Sequence, residues 1–395
     1  MSAELHALKA AAGASTADIA AATGVDASSV RRWFRGDSRP TRVEHVEGLA
    51  AALGTTPEVI RRATGQTPLL LAPDLNPDDQ ERVTLSLDSP TRIDAQTIIL
   101  IDEDLKVTRR HDDVFGSMAV MPRAAASFER VEQLIAQAPT PELRAALARS
   151  AAEWAQFAGW LASNMADMAT SLQWLQRAAG LAMEAGDSEL LGMVESYRGH
   201  AFYRMGNGGA VVRYSEASAR HKAHDLLHAF YQSQIARGYA MMGDESQCER
   251  HLDRSRSLAQ SGLANKDSAP SYAYWYTDPF YRLTHGVALS YLTDSDKATR
   301  ASIAALASGL DAMPEHDARS EWTVPFRHHL ARVYGRVGAA DMAAKALRGA
   351  YDIVSVTKPS QVTRDLQGLS KQMLERYPDD PAVQDVAGML ATLSS

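Results

Sequence analysis

Five arginines fall between positions 31 and 42, with Asp37 as the one acid among them. The stretch Gly24–Pro40, GVDASSVRRWFRGDSRP, reads as a short helix. Asp26 suits the N-cap, because its carboxylate can accept the free amide hydrogens of the first turn. Val30, Trp33 and Phe34 supply apolar positions at helical spacing, which leaves Ser28, Ser29, Arg31, Arg32 and Arg35 as a polar outer face. A major groove admits such a helix, where a guanidinium can pair bidentately with guanine and a serine hydroxyl can bond to any base edge. The rest of the chain is then expected to control this contact.

Other reactive side chains point to no catalysis. His221, His224 and His228, at i, i+3 and i+7 with Asp225 between, would share one helix face and could hold zinc. No glutamate base accompanies them, so the reading is surface or inter-repeat residues and no metal. Gly206-Asn207-Gly208-Gly209 follows a helix rather than a strand, which argues against a phosphate loop. The rings Tyr272, Tyr274, Trp275, Tyr276, Phe280 and Tyr281 are expected to pack a long connection, with a ligand or partner contact as the other reading. No Ser/His/Asp or Cys/His constellation has a credible local motif, so neither an enzyme nor a cofactor is expected.

Composition fits a helical protein of two or three domains. Of 395 residues, 45% are hydrophobic and 23% charged, ordinary values for a soluble chain. Cys248 is the single cysteine, so no intramolecular disulfide can form, and a reducing, cytoplasmic setting is expected. The N-terminus lacks a signal-peptide core, and no apolar run nears the roughly 18 residues of a membrane span. The net charge of −7 divides into +1 over residues 1–65 and −8 over the rest. Basic charge is thus local, as an electrostatic footprint on nucleic acid should be.

The outer face needs a scaffold, and five short helices provide it. Leu5, Leu8 and Ala12 mark the first, ended by Gly13; Ser15 or Thr16 caps the second, which carries Ile19, Ala20 and Thr23. Gly24 takes the turn, Asp26–Arg35 is the third helix stopped by Gly36, and Arg42–Leu53 is the fourth. A fifth starts near Pro57 and runs to about Thr64. The pattern S-x-x-D-I-A-x-x-x-G-V-D-x-S-S-V-R-R-W-x-x-G-x-x-x-P over residues 4–65 resembles the Cro/repressor-like (XRE) helix-turn-helix family. That resemblance implies phosphate contacts at Ser15 and Thr16, base reading by Ala27, Ser28, Ser29, Arg31 or Arg32, and backbone phosphates held by Arg35, Arg39 and Arg42. Phe34 stands where the family often has a polar residue, so a neighbour is expected to bury it.

Residues 66–139 read as linker and coupling helices. Pro68, Pro73 and Pro77 make Gln66–Asp79 irregular, and the alternating Val83, Leu85 and Leu87 could form a short strand ended by Pro90. Ile98, Ile101, Leu105 and Val107 set a helix over Asp94–Phe115. Phe128, Val131, Leu134 and Ile135 set another over Ala119–Ala138. The pair could also contribute to a dimer seam.

Residues 140–395 carry a register. Small residues at Gly159, Gly199, Ala236, Gly286 and Ala331 are followed after three by Ala162, Phe202, Tyr239, Leu289 and Tyr334. After twelve come Ser171, Val211, Cys248, Ala298 and Ala343; after nineteen, Ala178, Ser218, Ser255, Ala305 and Ala350. Turn signals separate the two helices of each unit, and a terminal pair at about 360–377 and 380–393 caps the stack. The register resembles the tetratricopeptide repeat, a pair of helices per unit. Stacking would expose a concave face lined by Gln156, Trp160, Ser163, Asn164, Ser196, His200, Tyr203, Ser233, Arg237, Tyr291, His328 and Arg332. Such amides, rings and cations suit a peptide backbone and its carboxylates.

The fold expected is therefore all-α: a five-helix repressor-like domain (1–65), a helical linker unit (66–139) and an α-solenoid (140–395). The combination is similar to peptide-responsive regulators of Gram-positive bacteria. It implies a homodimer on a pseudo-palindromic double-stranded DNA operator, tuned by a short peptide or other small ligand. The alternative reading is a protein-interaction scaffold whose repeats bind a partner protein and whose helix-turn-helix only docks.

Overall fold

The computed structural model describes residues 2–38, 40, 43–55, 59–60, 63–64, 93–357 and 360–393, with no strand among them. The chain packs as two compact units, Met1–Asp104 with Ala126–Leu147 and Leu105–Ala125 with Ala148–Ser395.

In the first unit, α1 (Ser2–Ala12), α2 (Thr16–Thr23), α3 (Ala27–Arg35) and α4 (Val43–Ala52) end where local chemistry ends them. Ser15 and Asp18 cap α2 reciprocally: the Asp18 amide donates to Ser15 Oγ at 3.1 Å and the Ser15 amide to Asp18 Oδ2 at 2.8 Å. Gly24 then takes φ 67°, a left-handed turn that glycine adopts without a Cβ clash. Asp26 Oδ1 accepts the Ser28 and Ser29 amides at 2.8 and 2.9 Å and so starts α3. Leu5, Ile19, Val30, Trp33, Phe34, Leu49 and Ile60 form the core. Phe34 is buried by α1, edge-on to His6 at 5.4 Å with Lys9 Nζ 5.1 Å from its ring centre. Gly48 lets α4 approach the backbone of α2, because a Cβ there would lie 2.9 Å from the Ala22 carbonyl carbon. Ile60 and Ala63 are buried where the fifth helix is expected. Arg42 at the start of the fourth helix, Pro57, the linker Gln66–Asp79 and the segment Val83–Pro90 lie outside the described residues.

The coupling helices form as α5 (Ala95–Phe115) and α6 (Ser117–Ile135). On α6 the expected face of Phe128, Val131, Leu134 and Ile135 is buried. On α5 the expected stripe needs correcting. Ile98 and Val107 are only half-buried, and the buried line runs through Thr97, Ile101, Leu105, Thr108 and Asp112. The helical period holds, but several of its positions are polar.

The second unit is an α-solenoid of five helix pairs. They are α7 (Pro141–Asn164) with α8 (Met168–Ala185), α9 (Ser188–Arg204) with α10 (Gly208–Ser218) and α11 (Asp225–Met241) with α12 (Glu245–Ala264). The last two are α13 (Asp278–Leu289) with α14 (Asp296–Asp311) and α15 (Val324–Arg336) with α16 (Ala340–Thr357); α17 (Ser360–Arg376) and α18 (Pro381–Ala391) follow. One turn recurs. Asp167, Asn207 and Asp244 donate their amides to the carbonyls of Ala162, Phe202 and Tyr239 at 2.9, 2.9 and 3.0 Å. Their side chains accept the amides of Thr170, Ala210 and Gln247, each at 3.0 Å, and so start the second helix. The small residues sit where helices touch: a Cβ on Gly159 would lie 2.8 Å from Leu175 Cγ. In the fourth pair the contact slips by one helical turn. Ser302 Oγ rather than a residue at position 298 donates to the Gly286 carbonyl, at 2.8 Å, and Leu306 packs under Gly286. Ala305, expected in the buried register, is half-buried, because the connection from Ser290 to Ser295 is longer than the other turns.

The residue preceding Asp167 is Ala166, left-handed at φ 60° where Gly206, Gly243 and Gly338 occupy the matching turns. An L-residue there costs about 1–2 kcal/mol, and the greater unfolded-state entropy of glycine offsets roughly 0.5–1 kcal/mol of its advantage. Ala166→Gly is therefore expected to raise the melting temperature by about a degree or more. Thermal denaturation followed by circular dichroism checks this, and a fall would contradict it.

Candidate functional site

On α3 the buried face of Val30, Trp33 and Phe34 leaves Ser28, Arg31, Arg32 and Arg35 exposed, with Ala27 and Ser29 half-buried. The outer face is internally bonded. Arg32 donates to Ser29 Oγ at 2.9 Å, Ser29 Oγ donates to Asp26 Oδ2 at 2.9 Å, and Ser28 Oγ donates to Asp26 Oδ1. These bonds hold the Asp26 carboxyl well below its ordinary range, so it stays ionised. Both serine protons are directed at Asp26, which leaves their oxygens as acceptors. Arg35 pairs with Asp37 at 2.9 Å. Ser15 is exposed at the start of α2, and Thr16 Oγ1 accepts from Lys9 Nζ at 2.8 Å. Arg39 and Arg42 lie outside the described residues.

In the second unit the concave face encloses a chamber of about 1290 Å³, mouth included. Its walls come from the first helices of the pairs, from the end of α5 and from the two long inter-pair connections. One end is acidic, with Asp112, Asp113 and Glu321. Asp112 Oδ2 accepts Trp160 Nε1 at 3.2 Å and Oδ1 accepts Ser117 Oγ at 2.8 Å; Asn164 Nδ2 donates to the same Ser117 oxygen at 3.0 Å. Asp113 Oδ2 accepts Tyr274 OH at 3.2 Å. Rings make the middle: Trp160 stands edge-on to Tyr197 at 5.7 Å, and Trp275 edge-on to Phe280 at 4.7 Å. The other end is basic, with Arg204 and Arg237 beside His200, Tyr203 and His329. Tyr203 OH and His329 Nε2 meet at 2.9 Å and join α9 to α15 across the concave face. Beyond that bond a second cavity is lined by Tyr291, His328, Arg332 and Asp365.

Of the residues expected on the concave face, Gln156, Trp160, Asn164, His200, Tyr203 and Arg237 line the chamber, and Tyr291, His328 and Arg332 line the adjoining cavity. Ser233 lines neither: it is 2% exposed, and its hydroxyl donates to the Phe230 carbonyl at 2.8 Å. Ser163 and Ser196 are buried as well. Arg109, Asp112 and Asp113 are additions from α5, and Tyr272, Tyr274, Trp275, Glu321 and Trp322 from the connections. A signal for Asp112 exists in the helical period that continues past Leu105. The ring-rich run divides its work: Tyr276 and Tyr281 are core, while Tyr274, Trp275 and Phe280 face the chamber.

The three histidines at 221, 224 and 228 do not share a helix face. His221 and His224 precede α11, His221 Nδ1 pairs with Ser188 Oγ at 3.0 Å, and His224 Nδ1 accepts the Leu226 amide at 3.2 Å. His228 meets the Tyr231 ring at 5.7 Å. Cys248 is buried, and burial pushes its thiol up to about 12.

The chamber's titrating groups oppose one another. Burial pushes Asp112 up to about 6. Asp113 and Glu321 reach about 7, through burial and then the Asp112 charge. Burial holds His200 and His329 well below the ordinary histidine range, and Arg237 and Arg332 beside them act the same way. Unfolded carboxyls titrate at ~4 and histidine at ~6.5. The carboxyls stabilise the folded state at low pH, and that contribution disappears as pH rises through ~6–7, whereas the histidine contribution disappears as pH falls below ~6.5. Burial also holds His285 at about 3 and His328 at about 4, which adds to the histidine side. Asp113→Asn with Glu321→Gln removes most of the carboxyl side, so between pH ~6 and pH ~8 the melting temperature of the double variant is expected to rise by a few degrees relative to that of the wild type. Parallel profiles of the two proteins would contradict this.

Residues 1–63 of the 395 match the model of a helix-turn-helix domain. No curated protein matches the chain. Among solved structures, a circular tandem repeat protein with novel repeat topology and enhanced subunit contact surfaces aligns with 99% of this chain and 95% of its own, at 14% identity and a TM-score of 0.25. No helix among the described residues is long and apolar enough to cross a membrane.

Proposed function

We propose that the chain is a DNA-binding transcriptional regulator without catalysis of its own. In this reading α3 enters a major groove, and the chamber of the second unit holds a small ligand that sets DNA affinity. The observation that carries it is the pair of exposed guanidiniums, Arg31 and Arg32, on a helix whose opposite face is core, within the segment that matches a helix-turn-helix domain. Arg31 carries no ion pair among the described residues, so its charge is available to a nucleic acid. The protein acts as a homodimer on a pseudo-palindromic operator, its two recognition helices about 34 Å apart. A ligand that favours one spacing changes affinity by its differential binding to the two states.

The test is a fluorescence-anisotropy titration of the full chain against a duplex from upstream of its own gene, at two salt concentrations, with a scrambled duplex as control. Selective binding that weakens linearly with the logarithm of salt is expected. Equal binding to both duplexes would overturn the assignment of that operator, and binding to neither across a randomised duplex pool would overturn the DNA reading.

A further inference from the structure

The two ends of the chamber differ in what their charges meet. Asp112 and Asp113 are each bonded to a donor on a neighbouring element. Arg237 has no such counterpart. It is 7% exposed, its guanidinium carbon lies 3.7 Å from the centre of the Tyr203 ring, and one terminal nitrogen donates to the neutral amide oxygen of Gln234 at 2.7 Å. Gln234 is in turn held by the Ser196 carbonyl at 3.1 Å. Arg237 Nε is buried with no hydrogen-bond partner, and no carboxylate pairs with this residue among the described residues. Its charged neighbour is Arg204, which sits 4.0 Å from Asp365, and burial keeps His200 and His329 neutral. A buried cation faced only by neutral acceptors and by other cations destabilises the fold unless an anion completes the site. Methionine of similar length would pack the same space without that penalty.

On the reading of the second unit as a ligand chamber, we infer that its ligand is a compact organic acid: a flat apolar body lodged among Trp160, Phe230 and Trp275, and one carboxylate or sulfonate paired with Arg237. The fork of a guanidinium matches a carboxylate in two parallel hydrogen bonds, and Tyr203 stacked beneath it fixes the plane of that fork. The Tyr203–His329 bridge closes the concave face on the far side of Arg237, so the ligand is compact rather than an extended strand threaded along the solenoid.

The experiment uses the full chain and two dyes with the same rings. Anilinonaphthalene sulfonate is the anion; phenylnaphthylamine is its uncharged counterpart. Trp160, Trp275 and Trp322 line the chamber, so binding there quenches tryptophan emission. The anionic dye is expected to bind with one-to-one stoichiometry and about tenfold or more tighter than the neutral one, the margin of a charge-assisted hydrogen bond. Arg237→Gln should bring the anionic dye to the neutral dye's affinity and leave the neutral dye unchanged. Arg237→Met, measured without ligand, should melt at or above the wild type. Equal affinity of the two dyes, parallel weakening of both in Arg237→Gln, or a fall in the Arg237→Met melting temperature would each overturn the assignment of an acid. Failure of both dyes to bind would overturn the chamber reading with it. The DNA titration on the same samples reports on the regulator reading separately.

Discussion

Charge reversal of the pair Arg31→Glu and Arg32→Glu is expected to abolish selective DNA binding while leaving the fold intact. Each bidentate base contact contributes roughly 1–3 kcal/mol, so removing two weakens the specific complex by about 30-fold to 10⁴-fold before repulsion is counted. Both side chains are exposed, and the bond that ties this pair to the folded domain runs from Arg32 to the Ser29 hydroxyl one turn earlier. Stability should therefore change by no more than about 0.5 kcal/mol. The salt slope of whatever binding remains should shrink by about one for each phosphate that is no longer neutralised. Anisotropy titrations paired with thermal melts read both quantities. Wild-type affinity in the double variant would remove α3 from the interface; disappearance of the melting transition would assign the arginines to the fold instead.

Gly48→Ala should unfold or severely loosen the first sixty residues. On helix propensity alone the change gains about 1 kcal/mol. The new Cβ would meet backbone rather than a movable side chain: 2.9 Å from the Ala22 carbonyl carbon, closer still to its oxygen, and 3.0 Å from Thr23 Cα. Helix α4 must then withdraw from α2, which opens the contact that buries Ile19 and Leu49. Overpacking of this kind costs up to about 3 kcal/mol or more, a large share of the ~3–9 kcal/mol available to a domain of this size. Calorimetry of the full chain should show the transition of the first unit lowered or absent and the solenoid's transition retained. A rise in the first transition would mean that propensity outweighs the close approach.

Where a helix starts or stops was legible, because those boundaries are set by residues within one turn of each other. Ser15 with Asp18, Asp26 with Ser28 and Ser29, and the repeated pairing of a left-handed residue with Asp167, Asn207 or Asp244 satisfy the free amides and carbonyls of a helix end locally. The small-residue register was legible for the same kind of reason: Gly159 and Gly199 are needed wherever two helices of one pair touch. The slip in the fourth pair escaped, since a longer connection moves the contact under Gly286 by one turn, from position 302 to Leu306, without any change in composition.

The all-α class, the N-terminal helix-turn-helix and the paired-helix periodicity can be read from the chain with no coordinates. So can Gln156, Trp160, Asn164, His200, Tyr203 and Arg237 as residues of the concave face. The helix ends and the small-residue register follow from short-range rules of caps, burial periods and turn residues, and the helix-turn-helix and the concave face from the families those patterns resemble. The closure of that face into a chamber with an acidic and a basic end could come only from the packed fold. Asp112 lies on α5 and Glu321 just before α15, and Tyr203 and His329 are 126 residues apart, so no local pattern relates them. Packing also separates Ser233, bonded back to its own helix, from Arg237 one turn on, whose buried guanidinium pairs with no acid among the described residues. A chain specifies which charges exist, but which of them find partners depends on what the fold brings within reach.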